Sequence, residues 1–183
     1  MGKQYQELSA EQTAFIASQK IFFVGTATET GRVNVSPKGM DSLVVLGSNR
    51  VAWLNVTGSG NETAAHIQSN RRMTIMFCAF EGKPLILRLY GKAKVYHRAD
   101  NEWHELLPAF KPLPGARQIF ELEIDLVQSS CGMSIPYFDY VEERESLNDW
   151  ARAKGEEGIR QYWSERNQVS IDGQPTNIVD KSG

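Results

Sequence analysis

Residues 73–97 read MTIMFCAFEGKPLILRLYGKAKVYH, and this stretch decides the fold. Its two β-rich segments, Met73–Ala79 and Leu85–His97, flank the turn residues Glu81-Gly82-Lys83-Pro84. This order predicts an antiparallel hairpin. Gly91 lies inside the second segment, where a glycine commonly marks a β-bulge or a barrel corner, and we expect one there.

Five further strands are predicted around this hairpin, at Ile21–Thr28, Arg32–Ser36, Leu43–Leu46, Arg50–Thr57 and Arg117–Gln128. Gly47-Ser48-Asn49 predicts a second tight hairpin. In the last strand the side chains alternate, and we expect one apolar face formed by Phe120, Leu122, Ile124 and Leu126. Many short strands with few helices between them predict a mainly β (α+β) protein, built as an antiparallel barrel and not as a doubly wound sheet.

Helices are predicted at the margins of this β-rich region. Ser9 and Gln12 have the spacing of a capping box at the start of a helix over Ser9–Gln19. Shorter helices are expected at Glu62–Ser69 and around Asn101–Leu107. A helical C-terminal extension is expected from about residue 142, with polar helices at Glu145–Lys154 and Glu156–Arg166 separated by Gly155. The 183 residues fit one domain spanning residues 1–183.

The composition argues against several classes of protein. Twenty Lys and Arg residues and 22 Asp and Glu residues are interspersed and give a net charge of −2, whereas a general nucleic-acid binder shows a basic stripe. No apolar run approaches the roughly 20 residues that span a membrane, and residues 1–9 lack a hydrophobic signal segment. The two cysteines, Cys78 and Cys131, have no metal or redox spacing. We expect a cytoplasmic protein with no nucleic-acid or membrane partner.

The segment Thr57-Gly58-Ser59-Gly60-Asn61-Glu62-Thr63 leaves a strand and enters a helix. Its small residues allow backbone N–H groups to turn inward, its polar side chains add neutral donors, and the helix points its positive end at the loop. These features predict a site for a phosphate monoester. The segment is neither a Walker loop nor a dinucleotide fingerprint. An ordinary connection capped by Asn61, with Glu62 favourable at the helix N-terminus, explains the same residues equally well.

Ser36-Pro37-Lys38-Gly39 is a second candidate site. Because proline cannot donate to a β-ladder, we expect the strand to end or bulge here and to expose Lys38. A lysine beside the pyrimidine edge of a flavin stabilises the negative charge that reduction places there. A solvated lysine at a strand end is the commoner alternative.

Arg88 and Cys131 complete the candidate residues. Arg88 shares one strand face with Ile86 and Tyr90, and a buried arginine needs an anion such as a phosphate, or else an ordinary ion pair with a glutamate. Cys131 lies in a small, glycine-containing segment that allows a planar ring to approach the backbone, although an inert buried thiol is the more frequent case. The histidines show no metal spacing, and no metal site is predicted.

The order of these motifs resembles the pyridoxamine 5′-phosphate oxidase-like family of FMN-binding split barrels. The motifs are Gly31-Arg32-Val33-Asn34-Val35-Ser36-Pro37-Lys38-Gly39 before a hairpin, Gly58-Ser59-Gly60-Asn61-Glu62-Thr63 at a helix start, and Asn70-Arg71-Arg72-Met73 before the next strand. The resemblance covers roughly residues 15–128. It implies an antiparallel split β-barrel of Greek-key type with peripheral helices, a homodimer, and FMN between the subunits.

The resemblance also implies roles for individual residues. Val33–Lys38, which includes Val35, Ser36 and Pro37, matches the strand along the flavin ring, with Lys38 at its edge. Thr57–Thr63 matches the phosphate loop, but Asn61-Glu62-Thr63 replaces the Ser-Arg-Lys of the true oxidases, and their C-terminal Trp-Arg-Leu pattern is absent. Vitamin B6 oxidation therefore does not follow, and Arg88 is the cation proposed for the phosphate.

Three functions remain open at this point. The first is an FMN-dependent oxidoreductase that acts on an unidentified small-molecule substrate or electron donor, with the cofactor carrying the chemistry. The second is a flavin-binding module without turnover, for storage or sensing. The third is a haem-handling protein of the same barrel architecture, because a fold does not fix a function.

Overall fold

The computed structural model describes residues 2–181, and within them the chain forms eight strands, four α-helices and one 3-10 turn. The strands are β1 (Lys3–Tyr5), β2 (Phe22–Thr26), β3 (Asn34–Lys38), β4 (Leu43–Gly47), β5 (Arg50–Val56), β6 (Arg72–Cys78), β7 (Ile86–His97) and β8 (Ala116–Ser130). The helices are α1 (Ala10–Ser18), α2 (Glu62–Ser69), α3 (Asn101–Leu106) and α4 (Ser146–Arg166), and the 3-10 turn is Leu107–Ala109.

All eight strands belong to one antiparallel sheet with the order β3-β2-β6-β7-β8-β5-β4, and β1 pairs with the far end of β8. The two outermost strands, β3 and β4, are consecutive in the chain and are joined by residues 39–42 alone. A four-residue connection spans less than about 20 Å, so the two edges of the sheet must curl toward each other. The result is an open, split-barrel-like fold, and the predicted fold class is confirmed.

The hairpin predicted within residues 73–97 is present, with Met76 opposite Arg88 across β6 and β7. The predicted irregularity at Gly91 is also confirmed, because the register between β7 and β8 shifts between Tyr90 and Gly91. A side chain at this position would place its Cβ 1.9 Å from the carbonyl oxygen of Glu123. Only glycine allows the two backbones to approach this closely.

The prediction that Leu126 shares the apolar face of Phe120, Leu122 and Ile124 is wrong, because of this bulge. Tyr90 pairs with Leu126 and Gly91 pairs with Ile124, so β8 contributes one extra residue between these pairs. The extra residue reverses the inward and outward positions that follow it. Val127 is therefore fully buried, whereas Leu126 is only half-buried.

The strand ends within Ser36-Pro37-Lys38-Gly39, as predicted, but at Lys38 and not at the proline. β3 continues through Pro37 to Lys38, and Pro37 lies opposite Phe23 of β2. β3 pairs on one side only, and an edge strand accepts proline where the missing N–H faces away from its neighbour. The predicted exposure of Lys38 is wrong, because the residue is half-buried.

The predicted helix ends are close to the observed ones. The capping box of α1 is present, since Gln12 N donates to Ser9 Oγ (3.2 Å) and Ser9 N donates to Gln12 Oε1 (2.9 Å). In α4, Gly155 has a φ of 64° and separates two helical segments, as predicted. No helix described between residues 2 and 181 is long and apolar enough to cross a membrane.

Three apolar clusters hold these elements together. The largest fills the curled sheet, where the rings of Trp53 and Phe120 stack with centroids 4.6 Å apart. A second cluster packs α3 and the 3-10 turn against the outer face of β5 and β8. The third joins α4 to the segment that follows it, through Ala151, Ile159, Trp163 and Ile178. The last cluster positions the C-terminal segment beside the glycine loop.

Candidate functional site

A pocket of about 320 Å³ lies where the glycine loop, β3 and β8 meet. β3 contributes alternate residues of one strand face, the loop contributes its backbone, and α2 contributes its first turn. The lining residues are Asn34, Ser36, Lys38, Asn55, Val56, Gly58, Ser59, Gly60, Asn61, Glu62, Thr63 and Arg117. The structure therefore brings two separate sequence motifs, residues 34–38 and 58–63, to one site.

Arg117 places a buried guanidinium in this pocket. Its residue exposure is 3%, and burial lowers its pKa to about 9, so it remains charged at neutral pH. Its Nη1 donates to the carbonyl oxygen of Gly60 (3.1 Å) and to Oδ1 of Asn167 (2.6 Å), while its Nε has no partner among the described residues. No carboxylate of residues 2–181 forms an ion pair with it. A buried cation of this kind calls for an anion.

Asn167 fixes the orientation of the glycine loop. Its Nδ2 donates to the carbonyl oxygens of Gly58 (3.1 Å) and Ser59 (3.5 Å). Because the C=O and the following N–H of a trans peptide point in opposite directions, the N–H groups of Ser59 and Gly60 face away from Asn167. No acceptor for these two N–H groups is present in the described part of the chain. They remain available to an anion.

Asn167 is itself held by the C-terminal segment. It follows α4 directly and is fully buried, and its carbonyl oxygen accepts from Thr176 Oγ1 (2.5 Å). Farther up α4, Trp163 Nε1 donates to Thr57 Oγ1 (2.8 Å). The residues after α4 thus form part of the pocket's support.

The carboxylate of Glu62, which also lines the pocket, has a backbone partner. Its carboxylate accepts from the N–H of Ile171, with Oε1 at 3.1 Å and Oε2 at 3.0 Å. The C-terminal segment thereby fixes the position of this carboxylate at the start of α2. Asp172, the next residue, forms an ion pair with Arg32 in the loop before β3.

Lys38 is the second cation of the pocket. Its pKa is lowered to about 8, first by burial and then by the positive charge of Arg117. No described carboxylate pairs with Lys38. Two cations that repel each other across a shared pocket, neither of them in an ion pair with a described carboxylate, favour a ligand that carries negative charge.

Three buried polar atoms of the lining lack partners within residues 2–181. They are Ser36 Oγ, Asn61 Oδ1 and Arg117 Nε. Buried polar groups are normally hydrogen-bonded, so these three atoms could pair with a polar ligand in the pocket. Asn61 occupies the N-cap position of α2, but its side chain makes no capping bond and instead donates through Nδ2 to Asn167 O (3.5 Å). Asn61 therefore does not act as the side-chain cap of an ordinary connection.

The remaining predicted residues lie in different places. Thr63 is buried and its Oγ1 accepts from Asn34 Nδ2 (3.4 Å) inside the pocket. The hydroxyl of Thr57 is already bonded to Gly115 O (2.8 Å) and to Trp163, and Thr57 does not line the pocket. Val35 is 64% exposed and its neighbour Pro37 is also exposed, on the strand face away from the loop.

Arg88 and Cys131 are not brought to this pocket within the chain. Arg88 is half-buried and its Nη1 donates to Ser130 Oγ (3.1 Å). Cys131 is an exposed free thiol that follows β8. The cation beside the glycine loop is Arg117, which the sequence motifs did not single out.

Neither Arg117, which lines the pocket, nor Asn167, which orders its loop, was predicted from the sequence. Arg117 lies near the start of β8, and the alternation of the sequence places it on the polar face of that strand. No neighbouring residue indicates that it is buried. Asn167 follows a polar helix about 100 residues after the loop that it orders. Finding either one requires the register of β5 with β8 and the path of the C-terminal segment, which are tertiary information.

Similarity to known proteins covers most of the chain. Residues 8–131 match the family model described as pyridoxamine 5′-phosphate oxidase. A pyridoxamine 5′-phosphate oxidase family protein, ustO of Aspergillus flavus, is 34% identical over 191 residues, which cover 93% of this chain and 76% of that protein.

Solved structures support the fold. A pyridoxamine 5′-phosphate oxidase-like protein of Lactobacillus delbrueckii aligns with a TM-score of 0.54 at 22% identity, covering 67% of this chain and 94% of that one. HupZ from Group A Streptococcus aligns with a TM-score of 0.53 at 16% identity, covering 65% of this chain and 92% of that one. At these identities the solved structures show a shared fold alone. The family model and the Aspergillus relative show the family. The chain belongs to the pyridoxamine 5′-phosphate oxidase family.

Proposed function

We propose that this protein binds FMN and acts as an FMN-dependent oxidoreductase. The observation that carries the proposal is Arg117, a buried guanidinium without a carboxylate partner beside a loop whose N–H groups are free. A phosphate monoester supplies the missing negative charge and several acceptor oxygens at once. Family membership supports the choice of FMN among phosphate esters.

The residues of the pocket fit this group. Arg117 and the first turn of α2 would hold the phosphate, with Ser36 and Thr63 as neutral donors at its sides. The true oxidases have an Arg-Lys pair where this chain has Glu62 and Thr63. In this chain Arg117 of β8 would supply the positive charge in place of that pair. Glu62 keeps its negative charge at this pocket, and the hydrogen bond from Ile171 N–H holds its carboxylate in place. The positive charges of Arg117 and Lys38 would have to outweigh it.

Lys38 would lie at the edge of the flavin ring, where its ammonium group favours negative charge. Bound FMN supplies the one- and two-electron chemistry, and the chain supplies position and electrostatics. A half-buried lysine without a carboxylate partner exerts its field more strongly than a solvated one. An oxidoreductase is therefore favoured over a passive flavin store.

We also infer a homodimer. β3 is an edge strand, and two large apolar side chains at its start face solvent, Val33 at 72% and Val35 at 64% exposure. Unpaired strand edges with exposed apolar residues are normally covered by a partner. Light scattering at micromolar concentration tests this inference, with twice the mass of the 20.6 kDa chain expected. A monomer would contradict it.

The absorption spectrum of the purified protein tests the cofactor. We expect flavin bands from the protein as isolated or after addition of FMN, and release of FMN on denaturation. A Soret band in place of flavin bands would instead favour the haem-handling alternative. A protein that takes up neither FMN nor any other flavin would contradict the proposal.

Turnover separates an enzyme from a flavin-binding module. We expect a reduced nicotinamide or another small-molecule donor to bleach the bound flavin and an electron acceptor to restore it over repeated cycles. A flavin that stays oxidised with every donor tested, although its site is fully loaded, would assign the protein to storage or sensing.

A further inference from the structure

A second cavity, of about 640 Å³, begins where the phosphate pocket ends. Lys38 lines both spaces, so the two are adjacent along β3. The cavity is bounded by the end of α1, the start of β2, the end of β3 and the turn after β6. Its outer wall comes from residues 138–147. Its volume is within the range of small-molecule sites, about 300–1,000 Å³.

The outer wall belongs to a segment that we call the strap, residues 131–145, which contains no helix or strand. The strap is attached to the barrel at two points that line the cavity. Phe138 N donates to Phe80 O (3.2 Å), and the two rings meet edge to face with centroids 5.3 Å apart. On the other side, Lys20 Nζ lies 5.4 Å from the ring centroid of Tyr140. The family match ends where the strap begins.

Aromatic and aliphatic side chains dominate the walls of this cavity. Phe80, Phe138 and Tyr140 face it together with Ile21, Met40 and Leu147. Phe138 and Tyr140 remain 59% and 45% exposed, although both are large and apolar. Exposed aromatic side chains around a concave space are typical of ligand sites, because a flat ligand covers them on binding.

The charged residues of the cavity indicate the sign of the charge that a ligand would carry. Four carboxylates line it, from Glu81, Asp139, Glu142 and Glu143. The cations are Lys20, Lys38 and Arg144, of which Lys20 already lies over the Tyr140 ring and Lys38 faces the proposed flavin edge. The lining therefore carries four negative and three positive charges, so negative charge is in excess. A second phosphate or a carboxylate would find net repulsion here, whereas an ammonium group meets carboxylates and ring faces.

We propose that this cavity binds the substrate, and that the substrate is a flat, apolar molecule that carries an amine and no phosphate or carboxylate. Phe138 and Tyr140 of the strap then determine specificity, through contact with the ring of the ligand. The role of the ligand as substrate rests on the proposed FMN-dependent function. The binding preference itself does not, and it is expected of the flavin-free protein as well.

Phenethylamine and 3-phenylpropionate test the proposal, because they share a ring and a two-carbon chain and differ in charge. Their dissociation constants are measured by calorimetry and saturation-transfer NMR at pH 7, on the full chain with and without FMN. We expect phenethylamine to bind at least tenfold more tightly in both forms. Equal binding, preference for the acid, or no binding of either probe would overturn the proposal.

Variants of the strap locate the site. Phe138→Ala and Tyr140→Ala should each weaken phenethylamine at least fivefold. Tyr137→Ala is the matched control, because Tyr137 is 78% exposed and does not line the cavity, and it should leave the affinity unchanged. Melting temperature and FMN content confirm that each variant is folded. If all three variants behave alike, the amine binds elsewhere and the proposal fails. If the wild-type protein does not bind FMN but still prefers the amine, the proposed FMN-dependent function is wrong and the amine site stands.

Discussion

Arg117 donates a hydrogen bond of 2.6 Å to the side-chain oxygen of Asn167, a neutral partner for a buried cation. The bond joins the end of the C-terminal helix to the wall of the phosphate pocket. Because Asn167 carries no charge, the positive charge of Arg117 stays available to a ligand. The same side chain holds the carbonyl groups of Gly58 and Ser59, so one residue orients both the loop and the cation.

Asn167→Asp should weaken FMN binding, because a carboxylate would pair with Arg117, repel the phosphate and lack the amide donor that orients the phosphate loop at Gly58 and Ser59. Loss of a hydrogen bond to a charged group costs roughly 1.5–3 kcal/mol, so we expect the dissociation constant of FMN to rise about ten- to a hundredfold. Riboflavin, which lacks the phosphate, should change less than threefold. Fluorescence titration measures both.

The control for this variant is Asn101→Asp at the exposed start of α3, which should leave both affinities unchanged. If Asn167→Asp weakens riboflavin as strongly as FMN, the variant disturbs the whole site and the assigned role of Asn167 is wrong.

Lys38→Met should stabilise the flavin-free protein at pH 7. The folded protein holds the pKa of Lys38 at about 8, below its ordinary value of 10.5, so the folded state binds fewer protons than the unfolded state between these values. The charged Lys38 therefore destabilises the folded state. This effect is present in full below pH 8 and disappears as the pH rises toward 10.5. We expect a gain of roughly 1–3 kcal/mol in the free energy of unfolding at pH 7. Chemical denaturation measures it, with the exposed Lys92→Met as control.

The same Lys38→Met variant should lower the reduction potential of bound FMN, because the anionic reduced form loses a positive neighbour. Spectroelectrochemical titration of the FMN-loaded proteins measures the potential. An unchanged potential would place Lys38 away from the flavin edge, even if the stability effect is found.

Ser36→Ala should have opposite effects on stability and on binding. The hydroxyl of Ser36 is buried without a partner in the described chain, so its removal should raise the stability of the flavin-free protein by about 1 kcal/mol. FMN loses a donor and should bind about tenfold more weakly. Ser42→Ala is the matched control, because Ser42 Oγ donates to Gly39 O (2.7 Å) and the variant should destabilise without affecting FMN. If FMN binds Ser36→Ala as tightly as wild type, the hydroxyl does not face the phosphate.

His97 should make the protein sensitive to acid. Burial lowers its pKa to about 4, so between pH 6.5 and pH 4 the unfolded state binds more protons than the folded state. Stability therefore falls as the pH drops through this window, by roughly 2 kcal/mol between pH 6.5 and 4.5. His97→Gln should flatten this part of the stability curve, and the exposed His104→Gln should not. An identical slope in all three proteins would rule out His97 as the cause.

Local signals explain why most of the fold could be predicted. The turn at residues 81–84, the Ser9 and Gln12 capping box and the break at Gly155 each depend on neighbouring residues alone. The inward position of Leu126 and the exposure of Lys38 were predicted wrongly, because a bulge and the packing of an edge strand are properties of the whole sheet.

The candidate site could be predicted in part for the same reason. Its loop and Lys38 belong to contiguous motifs, and both line the pocket. Arg117 and Asn167 reach it from distant parts of the chain, through the β5–β8 register and the packing of Trp163 against Thr57. The cation predicted from the sequence was Arg88, because an arginine in an apolar run is visible locally whereas a buried arginine at a strand start is not.

Titration of FMN and riboflavin against the wild type and Arg117→Met tests the central claim most directly. Methionine fills a similar volume without charge, and melting temperatures verify that the variant folds. We predict that wild type prefers FMN over riboflavin by at least a hundredfold, and that Arg117→Met loses most of this preference by weakening FMN alone. An unchanged preference for FMN in Arg117→Met, or an equal loss for both ligands, would contradict the assignment of this pocket to the phosphate.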